Sequence, residues 1–172
     1  TRSYLTPRTN IILRADGRAF HTYTRGCVTP FDDNLMAAMD QTALALCEEV
    51  QGAKLGYVQS DEINLAWYSS NYSNQIFFDG RIMKMTSVLA SMVTLHFNQW
   101  GPYFFDPDGE PKHLFEDKID SPPVFDCRVW NVPTLEEGAN VFLWREQDAT
   151  RNSVQMLARS LYSHKQLENK NN

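Results

Sequence analysis

Cysteine is scarce in this chain of 172 residues, and what there is forms no pattern. Cys27, Cys47 and Cys127 are odd in number and widely separated, and none belongs to a CxxC pair, so neither a disulfide framework nor a zinc site is indicated. The expectation is reduced thiols in a cytoplasmic protein. No apolar run approaches the roughly 20 residues of a membrane span, and no signal peptide is visible. Positive charge is also in deficit. A net charge of −5 excludes a domain that grips nucleic acid by bulk charge, and leaves room only for a local basic groove. There is no internal repeat and no low-complexity tract. The chain opens on Thr1 and closes on a polar ENKNN tail, so native residues are expected to be missing at both ends.

With 42% hydrophobic residues, the chain suits one ordinary domain spanning 1–172. Ile11, Ile12 and Leu13 form an apolar run led by two β-branched residues that should be a strand stopping at Asp16-Gly17, a turn dipeptide. Leu35, Met39, Thr42, Leu46 and Val50 recur at helical spacing, with Asp32 and Asp33 suited to cap the start and Gly52 closing the segment. "AKLGYVQ" and "EINLAWY" then read as two strands joined only by Ser60-Asp61, a short hairpin with acids at its tip. "NQIFFDGR" is expected to extend the sheet or form an edge ribbon. Ile82, Met85, Leu89, Met92 and His96 mark a second helix, ending before Gly101-Pro102.

Gly101 to Pro123, rich in proline and acids, reads as a long irregular excursion. "VFDCRVW" resumes as a strand. One or two helices follow, with Pro133 placed to start the first and Val154, Leu157 and Leu161 on an apolar stripe of the last. This order predicts an α+β fold: a ferredoxin-like split βαβ sheet, antiparallel, with helices packed on one face and extra helices at the C-terminus.

In such a sheet the first strand and the hairpin strands should lie side by side in the middle. Asp16 then comes near Asp61 and Glu62. Carboxylates held that close repel one another unless a cation or a proton intervenes, and hard oxygen donors suit Mg²⁺. A pair of such ions about 3.5–4 Å apart is a recurrent clamp for phosphoryl or nucleotidyl transfer. The plainer alternative is that Asp-Gly and Ser-Asp are ordinary turn formers with solvated acids.

Basic residues extend the reading. Arg81, Lys84 and Ser87 form a row on the second helix that is placed to meet a triphosphate, or is a solvated face. Arg145, Arg151, Arg159 and Lys165 outnumber Glu146 and Asp148 on the last helix and its exit, a candidate surface for an RNA backbone or again a solvated one. His21, in the loop after Asp16, is near enough to touch a phosphate or a base. His96 reads as core, and His113 carries no signal. Trp67, Trp100, Trp130 and Trp144 read as packing. No cysteine has a visible His or Asp partner for thiol catalysis.

Taken together, these stretches resemble a known family. "RADGRAFH" is similar to the R-x-D-G-R-x-F-H signature of the tRNA-His guanylyltransferases, and "GYVQSDEINLAW" to their G-Q-S-D-E hairpin. Arg81 and Lys84 match an R-x-x-K, "FDCRV" an F-D-G-R-V, and "WREQDATRNS" a W-R-Q-x-D stretch, in family order from Arg14 to Lys165. The resemblance implies a palm domain that works in the 3′-to-5′ direction, extending the 5′ end of tRNA or related RNA. The 5′ phosphate is activated with ATP or is already a triphosphate, and the 3′-hydroxyl of an incoming nucleotide, commonly GTP, attacks it.

By the same resemblance, Asp16 and Asp61 would ligate two Mg²⁺ ions, with Glu62 assisting and the Gly17 carbonyl contributing. Asp16, Gly17, Arg18, Ala19, Phe20 and His21, together with Ser60, Asp61, Arg81 and Lys84, would surround nucleotide phosphates. Arg128, Arg145, Asn152 and Ser153 would face RNA, with Lys165 on the basic exit beside them. A homo-oligomer, commonly a tetramer, is implied.

Three departures stand out. Thr150-Arg151-Asn152-Ser153 replaces H-I-N-N, Thr29-Pro30-Phe31-Asp32 replaces K-P-N-D, and Cys127 stands where glycine is usual. They favour the guanylyltransferase-like branch, which repairs truncated 5′ ends by templated addition. A palm-type nucleotidyl cyclase or forward polymerase uses the same acids. A module that binds nucleotide or RNA without turnover is the non-enzymatic alternative.

Overall fold

A computed structural model describes residues 3–68, 75–100, 103–105, 111–113, 122–168 and 170. Its centre is β1 (Asn10–Gly17), whose side chains alternate between two covered faces. Ile11, Leu13 and Ala15 join the main core, while Asn10, Ile12, Arg14 and Asp16 point the other way. β3 (Glu62–Trp67) lies on one side of β1 and β6 (Phe125–Val132) on the other, and β2 (Leu55–Gln59) pairs with the outer side of β3. All neighbours in the order β2-β3-β1-β6 are antiparallel, which is the expected split βαβ sheet. Of the two hairpin strands only β3 is central, and β2 forms an edge.

After the single-turn α1 (Phe20–Tyr23), α2 (Asp33–Glu49) starts where the Asp32 carboxylate accepts the amides of Asn34 and Leu35 at 3.1 and 3.0 Å. Its Met39, Thr42 and Leu46 are buried, as are Met85, Leu89, Val93 and Phe97 of α3 (Ile82–Trp100). The two helices pack on each other and on one face of the sheet. His96 belongs to this layer as expected, buried with Nε2 3.2 Å from Glu49 Oε2.

Three local expectations change. The sheet does not stop before Asp16-Gly17; β1 runs through both, and the left-handed residue of the following turn is Ala19, at φ 54°. Residues 77–80 form a 3₁₀ turn rather than a strand, because Phe78 and Asp79 take left-handed φ values of 52° and 55° that no strand accommodates; the start of "NQIFFDGR" lies outside the described residues. Most of the excursion from Gly101 to Pro123 also lies outside them, but β4 (Tyr103–Phe105) and β5 (Pro111–His113) pair within it.

The C-terminal region is one long helix, α4 (Leu135–Leu161), followed by the short α5 (His164–Leu167). Thr134, not Pro133, caps α4, its hydroxyl accepting the Glu137 amide at 3.2 Å. α4 crosses the sheet on the face opposite α2 and α3, with Gly138 against Asn10. Val154, Leu157 and Leu161, the expected apolar stripe, stay exposed.

Candidate active site

The register of the central strands gathers the acids. Asp16 stands directly across from Glu62 on β3 and from Asp126 on β6, so the three side chains share one face. The two-residue turn Ser60-Asp61 then brings Asp61 over the end of β1, where the Gly17 amide donates to the Asp61 carbonyl at 3.0 Å. Ser60 is left-handed at φ 50°, and its hydroxyl donates to Asp61 Oδ1 at 3.1 Å. Burial, followed by the charges of Asp61, Glu62 and Asp126, raises the Asp16 carboxyl above its ordinary value, against the opposing pull of Arg128. Burial raises Asp61 as well, with Glu62 adding to it, while hydrogen bonds from its own backbone and from Ser60 and the nearby His21 oppose. Among the described residues no three His, Cys, Asp or Glu side chains close on one point as a ready cage.

Glu62 is differently placed from the other two acids. It is only 6% exposed, and its Oε1 accepts from Asn64 Nδ2 at 2.7 Å and from Arg145 Nε of α4 at 2.9 Å, with Arg14 Nε at 3.4 Å. The same Arg145 donates through Nη2 to Asp148 at 2.8 Å. The expected three-acid cluster is thus a pair, Asp16 and Asp61, beside a glutamate already matched by guanidinium groups.

Around the pair, Arg18 and His21 are exposed, and the Arg18 amide donates to the Val124 carbonyl at 2.9 Å. Phe20 is not open to a ligand through its ring, which is buried against Tyr23, Phe97 and Phe125 at centroid distances of 5.3, 5.3 and 5.2 Å. Arg81 and Lys84, expected around the same phosphates, are not brought there. The start of α3 is tied to the segment before β1, through Leu5 N to Gly80 O at 2.8 Å and Ile82 N to Ser3 O at 3.1 Å. The acid end lies near Thr94, which accepts the Phe125 amide at 3.1 Å, and Arg81 to Thr94 is about 20 Å of helix. Arg81 instead lies 3.5 Å from Asp79, and the Lys84 amine is 4.5 Å from the centre of the Phe78 ring.

Of the residues expected to face RNA, Arg128 is exposed beside Asp16 and 3.8 Å from Asp126, whereas Arg145 is committed to Glu62 and Asp148. Asn152 reaches Asp148 at 3.5 Å, Ser153 donates to its own helix at the Ala149 carbonyl, and Lys165 is exposed on α5.

Comparison with known proteins decides what this arrangement belongs to. The profile of the family described as Thg1, tRNAHis guanylyltransferase, matches residues 1–133. The chain belongs to the tRNAHis guanylyltransferase family. It is 29% identical over 147 residues to a probable tRNA(His) guanylyltransferase of Dictyostelium discoideum, covering 84% of this chain and 52% of that protein. It is 26% identical over 171 residues to an uncharacterized protein, R259, of Acanthamoeba polyphaga mimivirus, covering 91% and 57%. The chain spans about half the length of the curated relatives it matches. Among solved structures, a bacterial tRNA(HIS) guanylyltransferase (Thg1)-like protein in complex with ATP superposes with a TM-score of 0.86 at 38% identity, covering 99% of this chain and 69% of that one. A GTP complex of a protein so described gives 0.80 at 36%, covering 99% and 70%. The expected fold is therefore that of the tRNAHis guanylyltransferases.

Within this guanylyltransferase framework, sequence reading missed Asp126, Arg14, Asn64 and Asp148. Asp126 and Arg14 had a signal, since Asp126 lies in the quoted "FDCRV" and Arg14 falls on the Asp16 side of β1 by alternation. The pairing of Arg145 with Glu62 joins residues far apart in the chain, and no local pattern announces it.

Proposed function

We propose that this chain is the catalytic unit of a Mg²⁺-dependent nucleotidyltransferase that adds nucleotides in the 3′-to-5′ direction to the 5′ end of tRNA, by templated end repair or by addition of G to tRNA-His. One observation carries the reading: two acids from distant parts of the sequence, Asp16 and Asp61, meet at one end of the sheet, joined through the Gly17 amide. Asp16 and Asp61, with the Gly17 carbonyl, would hold Mg²⁺, and the fit is chemical. Both are hard oxygen donors, both carboxyls are raised by burial and by neighbouring negative charge, and Mg²⁺ is commonly bound by one or two carboxylates that leave places for phosphates. When bound, such ions neutralise triphosphate charge and acidify an attacking hydroxyl.

The protein groups have separate tasks in this reading. Arg18 offers positive charge and His21 a ring N–H to the phosphates of GTP, another nucleoside triphosphate or ATP, and Ser60 orients the Asp61 carboxylate. The backbone amides of Ala19, Phe20 and His21, in the turn that follows Gly17, would donate to the same phosphate oxygens. Arg128, Asn152, Ser153 and Lys165 take the RNA side. The exposed Leu143, Trp144, Val154, Leu157 and Leu161 of α4 favour a homo-oligomer, read as a tetramer. No helix among the described residues is long and apolar enough to cross a membrane, and Cys27, Cys47 and Cys127 form no disulfide with one another, which suits the cytoplasm.

The test is a truncated tRNA carrying a 5′-triphosphate, incubated with labelled GTP and Mg²⁺. Growth of the 5′ end, nearly abolished by Asp16→Ala and by Asp61→Ala with RNA binding retained, is the expected result. No 5′ extension under any activation scheme refutes the proposal. Equal loss of binding and turnover in both variants points to a folding or binding role.

A further inference from the structure

Glu62 follows Asp61 directly and shares its charge, yet its surroundings assign it other work. Its carboxylate is buried, and Oε1 already meets three donors: Asn64 Nδ2 at 2.7 Å, Arg145 Nε at 2.9 Å and Arg14 Nε at 3.4 Å. The first two are hydrogen bonds. Arg14 Nε is an ion-pair neighbour whose N–H finds no hydrogen-bond partner among the described residues. With Asp148, and the more exposed Arg151 3.7 Å from it, the network holds three guanidinium groups and two carboxylates, so the charge of Glu62 is compensated without an added ion. Asp16 has no such compensation, since its neighbours Asp61, Glu62 and Asp126 all oppose its charge and Arg128 alone relieves it.

The position of Glu62 matters as much as its charge. It is the first residue of β3, paired with Gln59 across the hairpin and with Asp16 on β1, so whatever fixes Glu62 fixes the turn that carries Asp61. α4 provides that fixing. It buries little of itself against the sheet: Gly138 is its one buried residue among those described, and Tyr57 and Gln59 supply the other main attachments, Tyr57 donating to Glu146 at 2.8 Å and meeting the Phe142 ring at 6.0 Å, and the Gln59 amide donating to the Arg145 carbonyl and accepting from Arg145 Nη2 at 2.9 Å. The Arg145 bridge is therefore a large part of what seats the helix.

We infer that Glu62 is a positioning residue and not an ion ligand: through Arg145 and Asp148 it locks α4 to the hairpin tip, so that the seating of α4 sets how tightly Asp16 and Asp61 take up a divalent cation. This rests on the proposed reading of Asp16 and Asp61 as the cation site. Coupling of this kind is reciprocal, so a cation at the acid pair also tightens α4.

The experiment titrates Mn²⁺ into the chain in the presence of GTP and without RNA, following bound ion by electron paramagnetic resonance, with circular dichroism to confirm folding. Asp61→Asn is expected to remove ion binding. Glu62→Gln and Arg145→Met are expected to keep the parent number of ions and each to weaken Mn²⁺ on the order of tenfold. The double variant should be no weaker than the more affected single one, because both changes break the same bridge. Mn²⁺ with GTP should also slow amide exchange in the Gly138–Asp148 part of α4 in the parent chain but not in Glu62→Gln. Should Arg145→Met fail to fold, Asp148→Asn, which frees the outer side of Arg145 without stranding Glu62, is expected to weaken Mn²⁺ in the same direction.

Loss of an ion in Glu62→Gln, unchanged affinity in the Arg145 or Asp148 variant, or additive effects in the double variant would each overturn the inference while leaving the proposed site intact. A parent chain that binds no Mn²⁺, with or without GTP, removes the proposed site and the inference together.

Discussion

Replacing Gly17 by alanine adds one methyl group at the point where the acid end of β1 meets the core. A Cβ built there falls 2.2 Å from Phe20 Cδ2, 2.7 Å from Cε2 and 2.8 Å from Cγ. The ring cannot swing clear, since Tyr23, Phe97 and Phe125 pack around it with centroids at 5.3, 5.3 and 5.2 Å. Over-packing of a well-filled core costs about 1–3 kcal/mol, and three ring atoms inside contact distance place this variant near the upper figure. At roughly 2–4 °C per kcal/mol for a domain of this size, about 3 kcal/mol lowers Tm by some 6–12 °C. Urea unfolding followed by circular dichroism measures the change directly, and Phe20→Leu should suppress much of it, so that the double variant loses less than the sum of the singles. A Gly17→Ala chain within about 0.5 kcal/mol of the parent would refute the claim that close approach, rather than backbone freedom, demands glycine here.

Further outcomes follow from the same geometry. The raised carboxyl of Asp16 favours the folded state fully only below the ordinary carboxylate pKa, and that stability is lost as pH rises through the raised value. Asp16→Asn without divalent cations should therefore raise Tm at pH 7, and the gain should vanish as the pH falls below about 4, checked by melts across that range. Phe97→Ala removes a fully buried ring and should cost about 3–5 kcal/mol, seen as a lower urea midpoint with an unchanged slope. Burial pushes the Cys127 thiol up to about 12, so iodoacetamide at pH 8 should label it far more slowly than a free thiol, as followed by peptide mass spectrometry.

Much of the fold was legible because its signals are local. Helical spacing from Leu35 to Val50 with Asp32 as cap gave α2, and two strand-like runs around Ser60-Asp61 gave the hairpin that carries Asp61. Where sequence reading failed, a distant contact overrode the local cue. Asp16-Gly17 looks like a turn, but pairing on both sides keeps it in the strand, and the glycine serves the Phe20 ring instead. "IFFDG" has the composition of a strand, yet left-handed Phe78 and Asp79 turn it into the entry to α3. Arg81 and Lys84 share a motif-like spacing, but the direction of α3 sets them at the far end of the molecule from Asp16. Spacing states which residues share a helix face and is silent on which end of the sheet that face meets.

Beyond Arg145, α4 continues to Leu161 for about 24 Å, and none of its residues from 149 onward is buried. A stretch of this length is marginally helical in water when only its own backbone supports it. With nothing else packed on them, the outer turns would therefore hold a helix–coil balance of their own, while the inner turns are anchored at Glu62. What the outer turns touch thus decides how far the rod persists.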